Sequence, residues 1–280
     1  MDIGIGLPST IPGVDRGQHL EWARRAEERG FSTLGTIDRL VYANLEPLVA
    51  LASAAAVTER IGLTTSILLG PYRNTAVLAK EAASVDVLSG GRLTLGIAPG
   101  GRPDDYEAAG ADFTTRGRRF DAQLAELKRI WAGDEIGPEP FRVGGPELMV
   151  GGSVDASFRR AAEYGNGWIA GGAPPDAVKQ NAEAVREAWE AAGRAGEPRI
   201  MGLGYFSLGP TAQEDAERYL KHYYAFLGEL ADVIAGSAAK DAETVKQYAA
   251  AYEGAGVDEF IFFPCSPEAD QVDRLAEAAL

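Results

Sequence analysis

Histidine and cysteine, the side chains most used for metal binding and for chemistry near neutral pH, are almost missing from this 280-residue chain. It has two histidines, His19 and His222, and one cysteine, Cys265. A single cysteine excludes an intrachain disulfide and fits a reducing compartment. Positive charge is also scarce: 27 Lys and Arg face 41 Asp and Glu, a net charge of −14. Such a chain repels nucleic acid and anionic lipid unless it carries a basic patch. The densest basic cluster, Arg116, Arg118 and Arg119, reads as the opening of a solvated helix. No uncharged apolar run reaches the roughly 18 residues of a membrane span. The start, Met1 to Pro8, lacks the basic and apolar regions of a signal peptide. The expectation is a cytoplasmic protein without membrane or nucleic-acid partners. H-E-x-x-H, Walker and G-x-S-x-G motifs are missing, and the stretch from Gly96 to Gly101 holds no G-x-G-x-x-G. Zincin, P-loop, α/β-hydrolase and Rossmann sites therefore have no support.

What is present is ordinary globular composition, 46% apolar and 24% charged, enough for a large core. Short apolar runs alternate with amphipathic stretches. Strands are predicted at Ile3–Leu7, Thr33–Asp38, Ile61–Leu69, Leu93–Ala98, Leu148–Val150, Gly167–Ala170, Arg199–Leu208 and Glu259–Pro264. Helices are predicted at His19–Arg29, Glu46–Glu59, Thr75–Leu88, Thr114–Ala132, Val154–Tyr164, Asp176–Ala192, Glu214–Gly228, Ala242–Gly254 and Ala269–Ala279. Gly133–Pro146 reads as a surface loop. Strand–helix alternation implies a parallel sheet with right-handed crossovers. Eight units without a compositional break favour a closed (β/α)8 TIM barrel, one domain over residues 1–280. Ile61–Leu69 should be buried on both faces.

Barrel chemistry collects at the carboxyl ends of the strands. That rule selects Asp38-Arg39, Thr65-Ser66, Pro99-Gly100-Gly101-Arg102, Gly151-Gly152-Ser153, Gly171-Gly172 and Cys265-Ser266. Gly151-Gly152-Ser153 lies between a strand and a helix start. There, free N–H groups, the helix dipole and a hydroxyl can hold a phosphate. The plainer alternative is a turn with Ser153 as N-cap. Asp38 points into the mouth or caps a loop. Arg73 meets a phosphate or pairs with an acid. Asp104, Asp105 and Glu107 resemble a metal cluster but have no histidine companions, so a solvated loop is expected. His19 and His222 lie in helical patterns and read as surface or packing residues. Cys265 reads as a buried, inert thiol.

The segment from Arg73-Asn74 through Ala79-Lys80, Asp86-Val87-Leu88-Ser89-Gly90-Gly91-Arg92 to Leu95-Gly96 resembles the luciferase-like monooxygenase family, including its deazaflavin-dependent branch. Arg116-Gly117-Arg118-Arg119-Phe120-Asp121 and Trp131 extend the likeness. So do Gly151-Gly152-Ser153, Arg159-Arg160-Ala161-Ala162, Gly165-Asn166-Gly167-Trp168 and Ala255-Gly256-Val257-Asp258-Glu259-Phe260. The matches run in order through the whole chain. The resemblance implies a bacterial luciferase-like barrel with a flavin or deazaflavin across its mouth. Asp38, Gly96, Pro99 and Gly171 would surround the ring. Thr65-Ser66-Ile67 would form the bulge behind it, where the family often has a non-prolyl cis peptide. Gly151, Gly152 and Ser153 would hold the phosphate, with Arg73 and Arg102 as the next candidates.

Two departures stand out. The family usually carries Asp-His or Glu-His after the second strand, whereas this chain has Asp38-Arg39. After the fourth strand it reads Ala98-Pro99-Gly100-Gly101-Arg102, without the acid of the deazaflavin branch. The acid–base group expected opposite the substrate is therefore missing. This tilts the expectation toward reduced FMN and oxygen acting on a small organic substrate, with a separate flavin reductase as partner. A coenzyme F-420-dependent dehydrogenase or reductase and a non-catalytic flavin-binding barrel are the alternatives. A flavin-free enzyme for a phosphorylated substrate would need a Lys or Glu at a strand end, and the sequence offers none. Arg39 is a candidate fixed cation beside the ring, and Tyr42 and Tyr106 are candidate proton donors. The family pattern also implies a homodimer through the second and third helices.

Overall fold

Eight short runs of apolar, threonine and glycine residues become strands because both of their faces are covered. The computed structural model describes residues 1–133 and 135–280. Its strands are β1 (Asp2–Gly6), β2 (Thr33–Thr36), β3 (Gly62–Leu69), β4 (Leu93–Ala98), β5 (Glu147–Gly151), β6 (Gly167–Ile169), β7 (Arg199–Phe206) and β8 (Glu259–Pro264). They pair in parallel in sequence order, and β1 closes the ring by pairing with both β2 and β8. The predicted TIM barrel is the observed fold.

The helices are α1 (Arg16–Arg29), α2 (Pro47–Ala55), α3 (Thr75–Ser89), α4 (Pro103–Ala108), α5 (Arg116–Trp131), α6 (Asp155–Tyr164), α7 (Pro175–Ala191), α8 (Ala212–Tyr223), α9 (Leu230–Gly236), α10 (Ala242–Gly254) and α11 (Asp270–Ala279). Local chemistry starts several of them. Asp15 and Gln18 form a reciprocal capping box on α1. Asn74 and Asp241 cap α3 and α10 through their side chains. Glu46 caps α2, whose first residue is Pro47.

Two apolar layers result. The larger lies between strands and helices and holds Trp22, Phe120, Leu127 and Trp168. The smaller fills the barrel itself with Met149, Ile169, Met201, Ile261 and Phe263. At the amino ends of the strands, the Arg199 guanidinium bridges Glu147 and Glu259, each at 2.6 Å. Ser32 also donates to Glu259, which is buried. This ion-paired floor leaves the opposite, carboxyl end as the face where a ligand can enter.

Three expectations change. The helix predicted over 214–228 stops at Tyr223. A 3-10 turn over Ala225–Leu227 follows, and Gly228 (φ 59°) redirects the chain into α9. The acidic stretch after β4 contains a helix, α4, begun by Pro103. The Ile61–Leu69 run is buried except at Gly62 and Ile67, which are half-buried. The connection over 133–146 contains no helix or strand among its described residues.

Candidate functional site

The register of β3 against β4 slips at the mouth. Thr65 pairs with Leu95, but the next partners are Leu68 and Ile97, so β3 carries one extra residue. The Ser66–Ile67 peptide there is cis. The expected ridge is thus present, and the residue opposite explains why it fits. A Cβ on Gly96 would stand 2.1 Å from the Thr65 carbonyl oxygen, so only glycine admits the bulge. The Thr65 hydroxyl donates to the Gly96 carbonyl at 2.7 Å. Thr65 and Gly96 therefore support the ridge from behind and do not line the mouth, a correction to their expected place. Ser66 and Ile67 do line it.

In front of the ridge lies a cleft of about 160 Å³, bordered by Asp38, Ser66, Ile67, Gly171, Arg102 and the aromatic rings of β7 and α8. Asp38 is buried, and its Oδ2 accepts from the Leu69 amide (2.9 Å), the Tyr72 hydroxyl (3.1 Å) and the Arg73 guanidinium (2.8 Å). Burial pushes the Asp38 carboxyl above the usual carboxylate range, and the Arg73 charge pulls against that shift. Arg73 also reaches Glu46 at 2.8 Å, so of its two predicted roles it takes the pairing with acids.

Three further assignments are revised. Arg39 is no free cation. Asp104 holds it at 2.7 Å, with Asp105 at 3.7 Å. Tyr106 is fully buried and donates to the Pro99 carbonyl at 2.5 Å. Burial pushes its hydroxyl up to about 12; its hydrogen is turned to Pro99 and neither residue borders the cleft, so Tyr106 faces no ligand there and Pro99 serves as its acceptor rather than as a cleft wall. The acidic cluster is not wholly solvated either. Asp105 is fully buried and accepts from the Leu40 and Val41 amides at 3.0 and 2.8 Å, tying α4 to the segment after β2. Tyr42 stands at the lip, where its hydroxyl meets His222 Nδ1 at 2.8 Å. His19 is a packing residue, bonded to Ala50 and Ser53. Cys265 is buried, which raises its thiol well above the usual range.

At Gly151–Ser153 the structure removes one of the two readings, the turn with Ser153 as N-cap. The N-cap of α6 is Val154, without a side-chain hydrogen bond, and Ser153 is exposed. The first N–H groups of α6 thus have no side-chain acceptor from their own cap. Gly152 has φ 122°, and a Cβ there would lie 2.3 Å from Ser157 Oγ. Trp168 Nε1 donates to the Gly152 carbonyl at 2.7 Å. Position 152 therefore admits no side chain, so Gly152→Val would disturb the local backbone as well as any ligand held there. Gly171 borders the cleft with open space beside it.

Comparison with known proteins agrees with this architecture. The sequence profile described as luciferase-like monooxygenase matches residues 1–279. The chain belongs to the luciferase-like monooxygenase family. An uncharacterized protein of Mycobacterium tuberculosis is 32% identical over 180 residues, 59% of this chain and 62% of that relative, so the match spans about six tenths of the relative's length. An FMNH(2)-dependent dimethylsulfone monooxygenase of Pseudomonas putida is 26% identical over 61% of this chain and 50% of its own. Two solved structures share the fold over 99% of this chain. A monooxygenase from Streptomyces bottropensis has TM-score 0.79, 22% identity and 98% of its own chain covered. A coenzyme F-420-dependent secondary alcohol dehydrogenase has TM-score 0.80, 17% identity and 97% covered.

In this luciferase-like barrel the sequence had not pointed to the aromatic side of the mouth. Tyr205, Tyr223 and Tyr224 border the cleft, and Tyr205 and Tyr224 join hydroxyls at 2.7 Å. The run Tyr219 to Tyr224 at the end of α8 was the available signal. It read as an amphipathic helix whose continuation hid the turn at Gly228. Among the described residues no group of His, Cys, Asp and Glu suits a metal ion, and no helix is long and apolar enough to cross a membrane.

Proposed function

We propose that this chain is a flavin-dependent monooxygenase that takes reduced FMN and oxygen to a small organic substrate. The observation that carries the proposal is the chemistry of the cleft lining. Asp38 is its single carboxylate, and that group is held by Arg73, Tyr72 and a backbone amide. No histidine borders the cleft. Hydride removal from an alcohol needs a base for the hydroxyl proton, and none stands ready here. An oxygenating flavin asks less of the protein, because the cofactor supplies the electrons to oxygen and the chain supplies binding and shielding.

The residues fit such a cofactor. Ser66 Oγ is buried without a hydrogen-bond partner at the cleft, where a flat, heteroatom-rich ring would meet it. Ser66 and Ile67 would back the ring. Gly171 would leave room for it. The amides from Gly152 into α6 and the Ser153 hydroxyl would hold the phosphate. Tyr223 and Tyr224 would exclude water from above. The Asp38–Arg73 pair would fix the wall of the pocket. The FMNH(2)-dependent relative supports this choice, and it brings with it a separate flavin reductase as the expected partner. The reading includes a homodimer through α2 and α3.

Titration with FMN and with coenzyme F-420, followed by oxygen uptake with chemically reduced FMN, tests the proposal. The expected result is saturable FMN binding and substrate-stimulated uptake. Saturable binding of F-420 alone would replace the proposal with a deazaflavin dehydrogenase. FMN binding without turnover on any substrate tried would make the barrel a carrier.

A further inference from the structure

We infer that Arg102 is the receptor for the charged end of the substrate, and that the substrate is a flat organic carboxylate. This rests on the mouth cleft being the substrate site proposed above. Three arginines surround that mouth, and two are already satisfied: Arg39 by Asp104 at 2.7 Å, and Arg73 by Asp38 and Glu46 at 2.8 Å each. Arg102 borders the cleft and makes no ion pair among the described residues. Aromatic rings hold it instead. Its guanidinium carbon lies 4.1 Å from the centre of Phe226, 4.6 Å from Tyr223 and 5.6 Å from Tyr224.

Rings satisfy the faces of a guanidinium and leave its in-plane N–H groups unmet. Nη1 shows this, being buried without an acceptor. A desolvated cationic donor without an acceptor is costly, so the site favours whatever brings an oxygen to it. The planar fork of arginine matches the two oxygens of a carboxylate. The rest of the lining supplies the remaining recognition. Ile67 and Leu203 are apolar, and Tyr224 presents a ring. A flat apolar body with one carboxylate toward Arg102 fits that lining. A neutral amide of the same shape offers one acceptor oxygen and no charge, so it loses the paired, charge-assisted contact.

Benzoate and benzamide serve as probes, titrated calorimetrically into the protein with and without FMN. FMN affinity is measured separately by fluorescence quenching. Wild type should bind benzoate about tenfold or more tightly than benzamide. Arg102→Gln should lose that preference with FMN affinity unchanged, and Arg102→Lys should restore part of it. Matching circular dichroism melts show that the variants are folded. Equal binding of acid and amide by wild type overturns the inference, as does a preference that survives in Arg102→Gln. Weakened FMN binding in Arg102→Gln with no acid preference in wild type assigns Arg102 to the cofactor phosphate and also overturns it. Acid preference without FMN, in a protein that binds no FMN, supports the carboxylate receptor and sinks the flavin reading alone.

Discussion

Single residues at this mouth differ in how far their partners can be read from the sequence. Asp38 was legible because it closely follows the carboxyl end of a strand, where barrel sites collect. Arg39 and Tyr106 were not, because the groups that bind them lie outside their own segments: Asp104 is 65 positions from Arg39, and the Tyr106 hydroxyl turns back to Pro99. Ser153 gives the cleanest residue-scale test of the phosphate site. Its side chain is exposed and caps no helix, so Ser153→Ala should leave the melting temperature unchanged. FMN affinity should fall about tenfold, since a hydrogen bond to a charged group is worth about 1.5 kcal/mol. Unchanged affinity by fluorescence titration would place the phosphate elsewhere. His19 predicts a pH dependence. Burial lowers its pKa, opposed by the bond to the Ala50 carbonyl. The unfolded chain takes up a proton near the ordinary value of about 6.5, while the folded chain resists. The stability contributed by neutral His19 is therefore present above that pH and lost as pH falls through it. In melts at pH 8 and pH 5, His19→Gln should be the less stable protein at pH 8, with the gap narrowing at pH 5. A gap that widens toward acid would refute this.

Elements were more legible than residues, and the failures have local causes. The pairing at Thr65 and Leu68 shows how one glycine admits an irregular strand. Gly96→Ala would press a methyl group against the Thr65 backbone carbonyl, and overpacking against rigid structure costs about 1–3 kcal/mol or more. Urea denaturation should show at least that loss, together with weaker FMN binding because the ridge moves. Native stability in Gly96→Ala would mean the bulge is not held by that contact. The central strands were predictable because apolar runs covered on both faces have few alternatives. The helix α4 was missed because six residues rich in acid look like a solvated loop. Acidic residues also suit a helix's first turn, and Asp104 and Asp105 occupy it. Burial of Asp105 depends on backbone amides of Leu40 and Val41, which side-chain patterns do not reveal. The overrun of α8 has the opposite origin: its amphipathic spacing continues past Tyr223, where the helix ends, and Gly228 beyond the 3-10 turn redirects the chain.

For the whole molecule, the sequence supplied the barrel and its closure, since eight strand–helix units leave few other arrangements. Its association surface is a separate matter. Helices α2 and α3 pack side by side and present Val49 (67% exposed), Val77 (52%) and Leu88 (72%) to solvent. The proposed dimer would cover these three side chains. Light scattering at tens of micromolar should report a dimer, and Val49→Glu combined with Leu88→Glu should report a monomer with native circular dichroism. A monomeric wild type would sink the dimer. Closure of the ring has another result. Because β1 is paired to β8 over a longer register than to β2, the ring of strands has no open edge. Residues 193–196 form an exposed turn between α7 and β7, and opening the chain there interrupts no strand pair. A circular permutant opened at that turn, with residues 1 and 280 joined by a glycine–serine linker, should keep the native spectrum and FMN affinity, since exposed loop tips tolerate new termini. A permutant that fails to fold would show that the connection over 193–196 is needed for the barrel to form.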